Sequence, residues 1–358
     1  MITVDQLKPY LMKMTDEESI YKKIYELRKE PDKFKEYMLN LDRKALLNQG
    51  IWLPKPSEEA GGWNFPEYLI SNETQNIDVS KHNRYNPLFY HGHDVFEMIY
   101  IYEGKCENTV EELPGKFVKM NMEKDDICIL APGIKHTMGV YDDDSIVINI
   151  IIRQSTFKRI FFNLLTHKNP LSFFFYNTFY SDNPNSYIYF KTKDDQELHR
   201  VFENLIVECI NKREYFTENS ENLLRSVFFY LLRNHAKDAI LPNSPFKAPI
   251  FIYDILAFIQ EHYNTVTLRQ LSYKFNYSEQ YLCKLIKKHT GSTFNRILED
   301  IRFAKCASML ESSNLPISEI SKLVQHHRTR LLVCLHLKLF LCQSQPWLRK
   351  DRLNYSFQ

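Results

Sequence analysis

Three histidines and one glutamate are the side chains whose types and spacing could do chemistry in this chain. His91 and His93 are separated by one residue, Glu97 lies four residues further on, and His136 ends a later segment that begins at Asp125. Imidazole and carboxylate groups exchange protons, bind metal ions and form hydrogen bonds with polar ligands. The spacing therefore predicts a polar binding site, provided that the fold brings the two segments together.

The residues around these side chains predict strands. Val95–Tyr102 and Ile146–Ile152 are runs of β-branched and aromatic residues. Turn residues interrupt the region at Gly104, at Gly115 and at the three aspartates 142–144. Short apolar runs between turn residues are typical of a small barrel or sandwich.

This region resembles the cupin fold, whose two motifs carry the same histidine and glutamate spacing. Asp125 stands where the second motif usually has glycine, and Ala131 where it often has proline. For metal-dependent cupins the resemblance implies one ligand set: His91, His93, Glu97 and His136. Imidazole with carboxylate suits Zn, Mn, Fe or Ni.

The segment Val266–Gly291 predicts two short helices joined by a tight turn. Thr267 and Gln270 have the spacing of a capping box, which starts the first helix. Residues 276–277 make the turn, and Ser278 can cap the second helix through its hydroxyl. The inward face of the first helix holds Leu268, Leu271 and Phe275. This is the pattern of a helix-turn-helix.

The second helix has two different faces. Its apolar face holds Leu282, Leu285, Ile286 and His289. Its polar, cationic face holds Glu279, Gln280, Cys283, Lys284 and Lys287. A helix with a buried apolar stripe and a cationic outer stripe fits the major groove of DNA.

The region Ile255–Val324 resembles the DNA-binding domain of the AraC/XylS family of bacterial transcription regulators. That family has two helix-turn-helix units joined by a long linker helix. The matching residues are Lys287, Thr290, Gly291, Phe294, Arg302, Leu310, Ile317, Glu319 and Ile320, while Lys305 replaces an alanine of the family pattern. The resemblance implies base contacts at Gln280, Cys283 and Lys284, with Glu279 beside them and Lys287 and Thr293 nearer phosphates.

The resemblance ends at Val324. The family continues into a second recognition helix, whereas this chain has an unrelated basic tail, 325–358. We hypothesise a frameshift near residue 325, and the alternative is a genuinely divergent tail. The hypothesis predicts that the tail packs poorly, is cleaved early by protease, and leaves Ile317, Ile320 and Val324 without their packing partner. The protein would then fail to shift its operator at nanomolar concentration.

Charge is distributed unevenly along the chain. The net charge of the 358 residues is +2, but the part from Lys247 onward holds 16 basic and 8 acidic residues. The preceding part therefore carries an acidic excess, with 30 basic and 36 acidic residues. A basic C-terminal module on an acidic body favours nucleic-acid binding in one domain and sensing in another.

Cysteine usage and the N-terminus indicate a cytoplasmic protein. The seven cysteines are odd in number and no pair has Cys-x-x-Cys spacing, so we expect reduced thiols. The N-terminus lacks a basic run before an apolar core, so no signal peptide is expected. Apolar clusters are too short to span a bilayer, and no membrane partner is expected.

These observations predict an α+β multidomain fold in six segments. The segments are 1–80, a helical extension and loop; 81–153, a cupin-like sensor barrel; 154–240, a helical dimerisation region; 241–249, a linker; 250–324, the helix-turn-helix domain; and 325–358, the aberrant tail. The helical extension could be solvated or part of a dimer contact.

The predicted function is a sequence-specific DNA-binding regulator that responds to a small molecule and is not an enzyme. Its partners would be promoter DNA, a sugar or sugar derivative, and a second copy of the chain. Effector contacts are predicted at His91, His93, Glu97, Tyr100 and His136. Neither a metal nor another cofactor is expected, because the barrel of this family usually senses without one. The alternatives are a metal-dependent cupin enzyme with an appended helical domain, and a regulator disabled for operator binding by its tail.

Overall fold

The computed structural model describes residues 1–49, 51, 53, 63–65, 76–161, 171, 174, 178, 187–242, 250–290, 292–312 and 315–324. The chain divides into two compact units, the first holding residues 1–250 and 289–291 and the second the described remainder from residue 251. The predicted extension, sensor and helical region therefore belong to one unit. The tail, and with it the predictions made for 325–358, lies outside the described residues.

The first unit begins with four helices. They are α1 (Val4–Met12), α2 (Asp16–Leu27), α3 (Pro31–Asn40) and α4 (Arg43–Asn48). The Thr15 side chain accepts a hydrogen bond from the backbone N–H of Glu18, and the Glu18 carboxylate accepts one from that of Thr15. This capping box fixes the start of α2. Ile2 is joined to Asn211 by two hydrogen bonds of 2.8 and 2.9 Å, so the extension is packed on its own unit.

Eleven strands are present in the described part of this unit. They are β1 (Trp63–Phe65), β2 (Ile77–Lys81), β3 (His91–His93), β4 (Phe96–Glu103), β5 (Lys105–Leu113), β6 (Lys116–Glu123), β7 (Ile127–Leu130), β8 (His136–Gly139), β9 (Ile146–Ile152), β10 (Tyr187–Phe190) and β11 (Ala239–Ile240). The predicted runs Val95–Tyr102 and Ile146–Ile152 correspond to β4 and β9. Their β-branched and aromatic side chains suit a pleated, buried surface.

The strands form two sheets, whereas the sequence predicted a small barrel or sandwich of cupin type. One sheet has the order β1-β3-β8-β5-β6 and the other β11-β10-β7-β4-β9-β2. Within the described residues, no ladder of backbone hydrogen bonds joins the sheets into a ring. The pairs are antiparallel except for β1 with β3. Side-chain packing between the two sheets, and not strand pairing, closes this core.

The chain passes from sheet to sheet at residues with positive φ. Gly104 (φ +75°) lies between β4 and β5, Asp125 (φ +67°) between β6 and β7, and Gly133 (φ +85°) between β7 and β8. At Gly104 a Cβ atom would lie 2.2 Å from Ser145 Oγ, so only glycine fits. Asp125 stands where the cupin motif usually has glycine. Its positive φ lies in the left-handed backbone region, which aspartate adopts more readily than most residues other than glycine.

Apolar side chains from both sheets fill the space between them. This core consists of Ile99, Ile101, Cys106, Val110, Met120, Met122, Cys128, Leu130, Ile134, Met138, Val140, Val147, Tyr187 and Tyr189. On β4, Ile99 and Ile101 face this core, and Glu97 shares their face because side chains alternate along a strand. Tyr100 belongs to the opposite face.

In the described part of the chain, α5 (Gln154–Phe161) follows β9, α6 (Gln196–Asn211) follows β10, and α7 (Phe216–Asn234) precedes β11. The predicted apolar stripes of α6 and α7 are buried at Leu198, Phe202, Leu205, Ile206, Cys209, Leu224, Val227, Phe228 and Leu231. Asp195 caps α6 by accepting from the backbone N–H of Leu198. Its other carboxylate oxygen lies 2.8 Å from Nε2 of His235, which ties the end of α7 to the start of α6.

The second unit is helical. Its elements are α8 (Ile250–Glu261), α9 (Leu268–Phe275), α10 (Glu279–Thr290), α11 (Phe294–Ser312) and α12 (Ile317–Leu323). Arg302 of α11 donates from Nε to the carbonyl of Tyr263 at 2.8 Å and from Nη2 to that of Asn264, which satisfies carbonyls beyond the end of α8.

The prediction made for Ile317, Ile320 and Val324 concerns their contacts with the tail, which lies outside the described residues. Among the described residues, Ile320 and Val324 are fully buried. They pack with Cys306 and against Tyr263, Met309 and Leu315. The linker helix α11 therefore supplies partners for α12 within the described chain. Separately, none of the described helices is long and apolar enough to cross a membrane.

Candidate functional site

The two sheet segments meet at the four predicted polar residues. His91 and His93 are the first and last residues of β3, and His136 begins β8, which pairs with β3 so that His91 lies opposite His136. Glu97 reaches them from β4 in the other sheet. One ligand atom from each of the four side chains lies within 4.8 Å of every other.

Glu97 is the centre of this cluster. Its Oε2 atom lies 3.1 Å from Nε2 of His93 and 3.0 Å from Nε2 of His136. Glu97, His136 and His91 are buried, and His93 is partly exposed. Nδ1 of His91 lies 3.2 Å from the carbonyl oxygen of Phe89, which fixes the orientation of that ring.

Burial and mutual charge set the protonation of the cluster. Burial alone would raise the pKa of Glu97, but the imidazoles of His136 and His93 outweigh it and hold the pKa well below the usual value. Burial, aided by His136 and His93, lowers the pKa of His91 well below its usual value. His91 is therefore neutral at pH 7 and can offer a nitrogen lone pair, while Glu97 is an anion.

The donor set fits one transition-metal ion. Ligand nitrogens and oxygens lie about 2.0–2.2 Å from such an ion, so two ligands on opposite sides are roughly 4 Å apart. The span of 4.8 Å among the four side chains is close to that limit. Three imidazoles with one carboxylate suit Zn, Mn, Fe or Ni. The same groups could equally hydrogen-bond a polar organic ligand.

Tyr100, predicted to contact the effector, is not part of this cluster. It lies on the opposite face of β4, where its hydroxyl donates to Asp125 Oδ1 at 2.9 Å and lies 2.7 Å from His199 Nδ1. Its ring stacks on Phe202 of α6 at a centroid distance of 3.9 Å. Alternation along the strand is the reason, because residues 97 and 100 differ by an odd number.

Two polar residues near the cluster were missed by sequence reasoning. His82 follows β2, and the charges of Glu97 and His136 act on its imidazole, whose pKa burial lowers to about 4. Asn108 of β5 is fully buried, and neither polar atom of its amide has a hydrogen-bond partner in the described part of the chain. An unsatisfied buried amide is costly, so it marks a position where a bound polar molecule would be stabilising. A lone His or Asn has no sequence motif that could have revealed this.

The second unit contains the predicted helix-turn-helix. Thr267 Oγ1 accepts from the backbone N–H of Gln270 at 3.2 Å, and Gln270 Oε1 accepts from that of Thr267 at 2.9 Å. Asn276 adopts φ +56° at the turn between α9 and α10. Ser278 Oγ accepts from the N–H of Tyr281 at 3.2 Å. The predicted capping box, turn and second cap are confirmed.

The two faces of α10 are as the sequence predicted. Leu282, Leu285 and Ile286 are buried, while the side chain of His289 lies outside the described residues. All six predicted DNA-contacting residues are exposed: Glu279, Gln280, Cys283, Lys284, Lys287 and Thr293. Thr293 has a structural role as well, because its hydroxyl accepts from the N–H of Arg296 and caps α11.

Comparisons with known proteins give only distant likenesses. No protein-family model matches this chain, and no curated protein matches it. ToxT from Vibrio cholerae is 14% identical over 70% of this chain and 88% of its own, with a TM-score of 0.30. The C-terminal domain of AraT, a response regulator from Geobacillus stearothermophilus, is 24% identical over 31% of this chain and 96% of its own, with a TM-score of 0.25.

A third likeness covers a smaller part of the chain. Oxalate decarboxylase from Bacillus subtilis is 13% identical over 23% of this chain and 22% of its own, with a TM-score of 0.19. At these TM-scores none of the likenesses bears on function, and the proposals below rest on the residues of this chain alone.

Proposed function

We propose that this protein is a DNA-binding transcription regulator of the AraC/XylS type that responds to a small molecule. The observation that carries the proposal is the exposed face of α10, which follows a capped helix and a left-handed turn at Asn276. Gln280, Lys284 and Lys287 are all exposed on it. In a helix-turn-helix the second helix lies in the major groove and its outward side chains contact bases and phosphates.

The residues of α10 have distinct roles in this proposal. Gln280 can pair with the N6 and N7 atoms of adenine, and Lys284 can donate to guanine acceptors, each worth roughly 1–3 kcal/mol of discrimination. Cys283 and Glu279 lie beside them. Lys287 and Thr293 are assigned to phosphates, which position the protein without carrying sequence information.

Genomic footprinting followed by quantitative DNA binding tests this function. Gln280→Ala and Lys284→Ala should each weaken binding to the footprinted site by about tenfold, while non-specific binding changes much less. Lys287→Ala should weaken both and reduce the slope of log K against log salt by about one. Lys35→Ala removes an exposed lysine of α3 and serves as the charge-matched control. Unchanged affinity in all three α10 variants would remove this helix from the interface.

We place the effector at the cluster of His91, His93, Glu97 and His136, and we withdraw Tyr100 from that set. The cluster is buried between the sheets and offers hydrogen-bond donors and acceptors at short range. A sugar or sugar derivative has matching hydroxyls. Effector binding would change the affinity for DNA only if the effector binds two conformational states of the protein with different affinities. Calorimetric titration with sugars, comparing the wild type with His93→Ala, tests this assignment.

We propose that this regulator forms a homodimer through the helices α5, α6 and α7. Phe229 on α7 is 47% exposed, as is expected of an apolar side chain that a partner covers. Analytical ultracentrifugation should give a dimer for the wild type and a shift towards monomer for Phe229→Glu. A monomer at all concentrations contradicts the proposal. We further place the protein in the cytoplasm, where promoter DNA is accessible.

The frameshift near residue 325 remains a proposal based on the sequence. A single helix-turn-helix would bind one half of a bipartite site, so operator affinity would fall towards roughly 10⁻⁴ to 10⁻⁶ M at physiological salt. Sequencing the locus tests the origin of the tail, and a frame-repaired protein tests its effect. If the protein with its present tail shifts operator DNA at nanomolar concentration, the tail acts as a second DNA-binding element.

A metal-dependent cupin enzyme is the second candidate, and the four-ligand cluster is the observation that favours it. An ion held there would act as a Lewis acid or activate bound water. Elemental analysis of purified protein tests it, with His136→Ala as the variant and His262→Ala of the second unit as the control. The absence of near-stoichiometric metal in the wild type would dismiss the enzyme. An enzyme also has no need of the basic C-terminal module.

A further inference from the structure

A group of polar side chains lies next to the His/Glu cluster, in the space between the two sheets. Its clearest member is Asn108 of β5, which is fully buried and whose amide nitrogen and oxygen both lack a hydrogen-bond partner in the described part of the chain. The same holds for the buried Oδ1 atom of Asn149 on β9 and the buried Nε2 atom of His82. We call these three residues the inner patch.

Strand register places Asn108 beside the cluster in one sheet. Val110 of β5 lies opposite His136 of β8, and Asn108 lies opposite Met138. Val110 and Met138 face the core between the sheets, so Asn108 and His136 face it as well. Asn108 is therefore the diagonal neighbour of His136, a relation in which side chains are roughly 7–8 Å apart.

The other sheet shows the same relation. Asn149 of β9 lies opposite Ile99 of β4, two positions along that strand from Glu97. His82 continues the register of β2 with β9, because its backbone N–H donates to the carbonyl of Val147 at 2.8 Å. Since Ile99 and Val147 face the core, Asn149 and His82 lie on that side of the sheet.

The chain brings the two asparagines to the same level of the two sheets. β4 leads into β5 through the turn at Gly104, so positions equally far from that turn lie at similar levels. The row that contains Asn149 crosses β4 five positions before Gly104, and Asn108 lies four positions after it. The contact between Glu97 and His136, at 3.0 Å, lies one row further from the turn. Asn108 and Asn149 therefore lie on facing sheets in the row next to that contact.

The inner patch is reachable from solvent at the edge of one sheet. β2 is the last strand of its sheet, and Ser80, which lies opposite Asn149 in the register of β2 with β9, is exposed. Asn149 and His82 are partly exposed, whereas Asn108 is fully buried. A ligand that enters past Ser80 meets Asn149 first and Asn108 last.

The chemistry of the inner patch suits uncharged hydroxyl groups. Burial lowers the pKa of His82 to about 4, so its imidazole is neutral at pH 7. Glu97 nearby is an anion, and Arg84, the one buried arginine or lysine among the described residues, is bound to Glu18. An anionic ligand would therefore meet repulsion and no counter-charge. A hydroxyl both donates and accepts, as an asparagine amide does, so the two groups are complementary.

We propose that the inner patch is a second subsite of the effector site and binds neighbouring hydroxyls of an uncharged sugar or polyol. This proposal rests on the effector assignment made above. Asn108 would donate to one hydroxyl and accept from another, Asn149 would accept at Oδ1, and His82 would form a hydrogen bond at Nε2. The site would therefore select uncharged sugars against sugar acids and sugar phosphates.

Replacing Asn108 separates a ligand-binding role from a structural one. Asn108→Val puts an apolar side chain among apolar neighbours, so the melting temperature of the ligand-free protein should stay the same or rise by up to about 4 °C. Asn121→Val changes an exposed asparagine of β6 and is the matched control, because it shares the gain in strand propensity. If Asn108→Val lowers the melting temperature relative to the control and the wild type, the amide supports the fold and the proposal is overturned.

Calorimetric titration of the full chain supplies the binding measurement. The probes are D-glucose, D-galactose, D-xylose and myo-inositol, with D-glucuronate and D-glucose 6-phosphate as charged counterparts. At least one uncharged probe should bind at a single site per chain, about tenfold or more tightly than either charged one. Asn108→Val should raise its Kd about tenfold, because both hydrogen bonds of the amide are lost, whereas Asn121→Val should leave the Kd unchanged.

Three binding results overturn the proposal, and each bears differently on the effector assignment. Binding that is lost in His93→Ala but survives Asn108→Val keeps the effector at the His/Glu cluster and dismisses the inner patch. Equal binding of a charged counterpart dismisses the selection for uncharged ligands. Absence of saturable binding by every probe dismisses the inner patch together with a sugar as effector, while DNA binding is judged separately from the α10 variants.

Discussion

The guanidinium of Arg84 holds both carboxylate oxygens of Glu18 inside the first unit. Nε of Arg84 donates to Oε1 and Nη2 to Oε2, each at 3.0 Å, and the backbone N–H of Arg84 donates to Oε1 at 3.1 Å. Lys81 Nζ also donates to Oε2, at 2.8 Å. Glu18 is fully buried. Since Glu18 belongs to α2 and Arg84 follows β2, this ion pair fastens the N-terminal helices to the sheets.

Removing one partner of this pair should destabilise the first unit strongly. Glu18→Gln leaves the buried guanidinium of Arg84 without its counter-charge, and such a loss costs about 3–5 kcal/mol. Chemical denaturation should show the loss as a lower midpoint with an unchanged slope. Glu26→Gln changes an exposed carboxylate of the same helix and is the matched control. Equal midpoints for the two variants contradict this role of Glu18.

The same pair predicts how stability depends on pH. Burial alone would raise the pKa of Glu18, but hydrogen bonds from Arg84 and Lys81 outweigh it and lower the pKa from 4.5 to about 2. A lowered folded pKa means that the stabilisation is fully present above the unfolded pKa and is lost as pH falls towards 2. It amounts to about 3 kcal/mol. Urea midpoints measured between pH 6 and pH 2.5 should therefore converge for the wild type and Glu18→Gln.

The turn of the helix-turn-helix should discriminate between substitutions at Asn276. The residue has φ +56°, which asparagine and glycine adopt readily and β-branched residues do not. Asn276→Gly should change the melting temperature of the second unit little, whereas Asn276→Val should destabilise it by about 1–2 kcal/mol. Circular dichroism of the two variants checks this. If the Asn276→Val protein is as stable as the wild type, residue 276 does not adopt the left-handed conformation at this turn.

The N-terminal cap of α9 should contribute a measurable stability. Thr267→Ala removes the side-chain acceptor for the N–H of Gln270 and should cost about 1 kcal/mol. Thr267→Ser retains a hydroxyl and should cost much less. Thermal unfolding of the two variants, compared side by side, tests this. Because the cap positions α9 and not the outer face of α10, DNA affinity measured well below the melting temperature should be retained.

The bonds around Tyr100 should couple β4 to α6. Tyr100→Phe removes the hydroxyl that bonds Asp125 and lies beside His199 Nδ1, so it should cost about 1–2 kcal/mol. His199→Ala removes the other partner of Asp125, whose Oδ1 lies 2.7 Å from His199 Nδ1. In a double-mutant cycle the two changes should be non-additive by at least about 0.5 kcal/mol. Strict additivity would mean that the three groups do not act as a network.

The sequence alone determined the local features of this protein. Capping residues, a turn asparagine and apolar residues at helical spacing predicted α9 and α10, because these signals act between residues a few positions apart. The runs of β-branched residues predicted β4 and β9 for the same reason. The His-x-His and Glu97 spacing, with His136 later in the chain, named the four side chains that the structure places within 4.8 Å of one another.

Tertiary structure alone decided what depends on contacts between distant residues. Strand pairing determined that the sheets stay separate and that Tyr100 lies on the face of β4 opposite Glu97, since one strand residue reverses the direction of a side chain. Packing gave Ile320 and Val324 their partners on α11. The bond between Glu18 and Arg84, 66 positions apart, and the inner patch of His82, Asn108 and Asn149 follow no local pattern, because they exist only after the helices and the sheets have packed together.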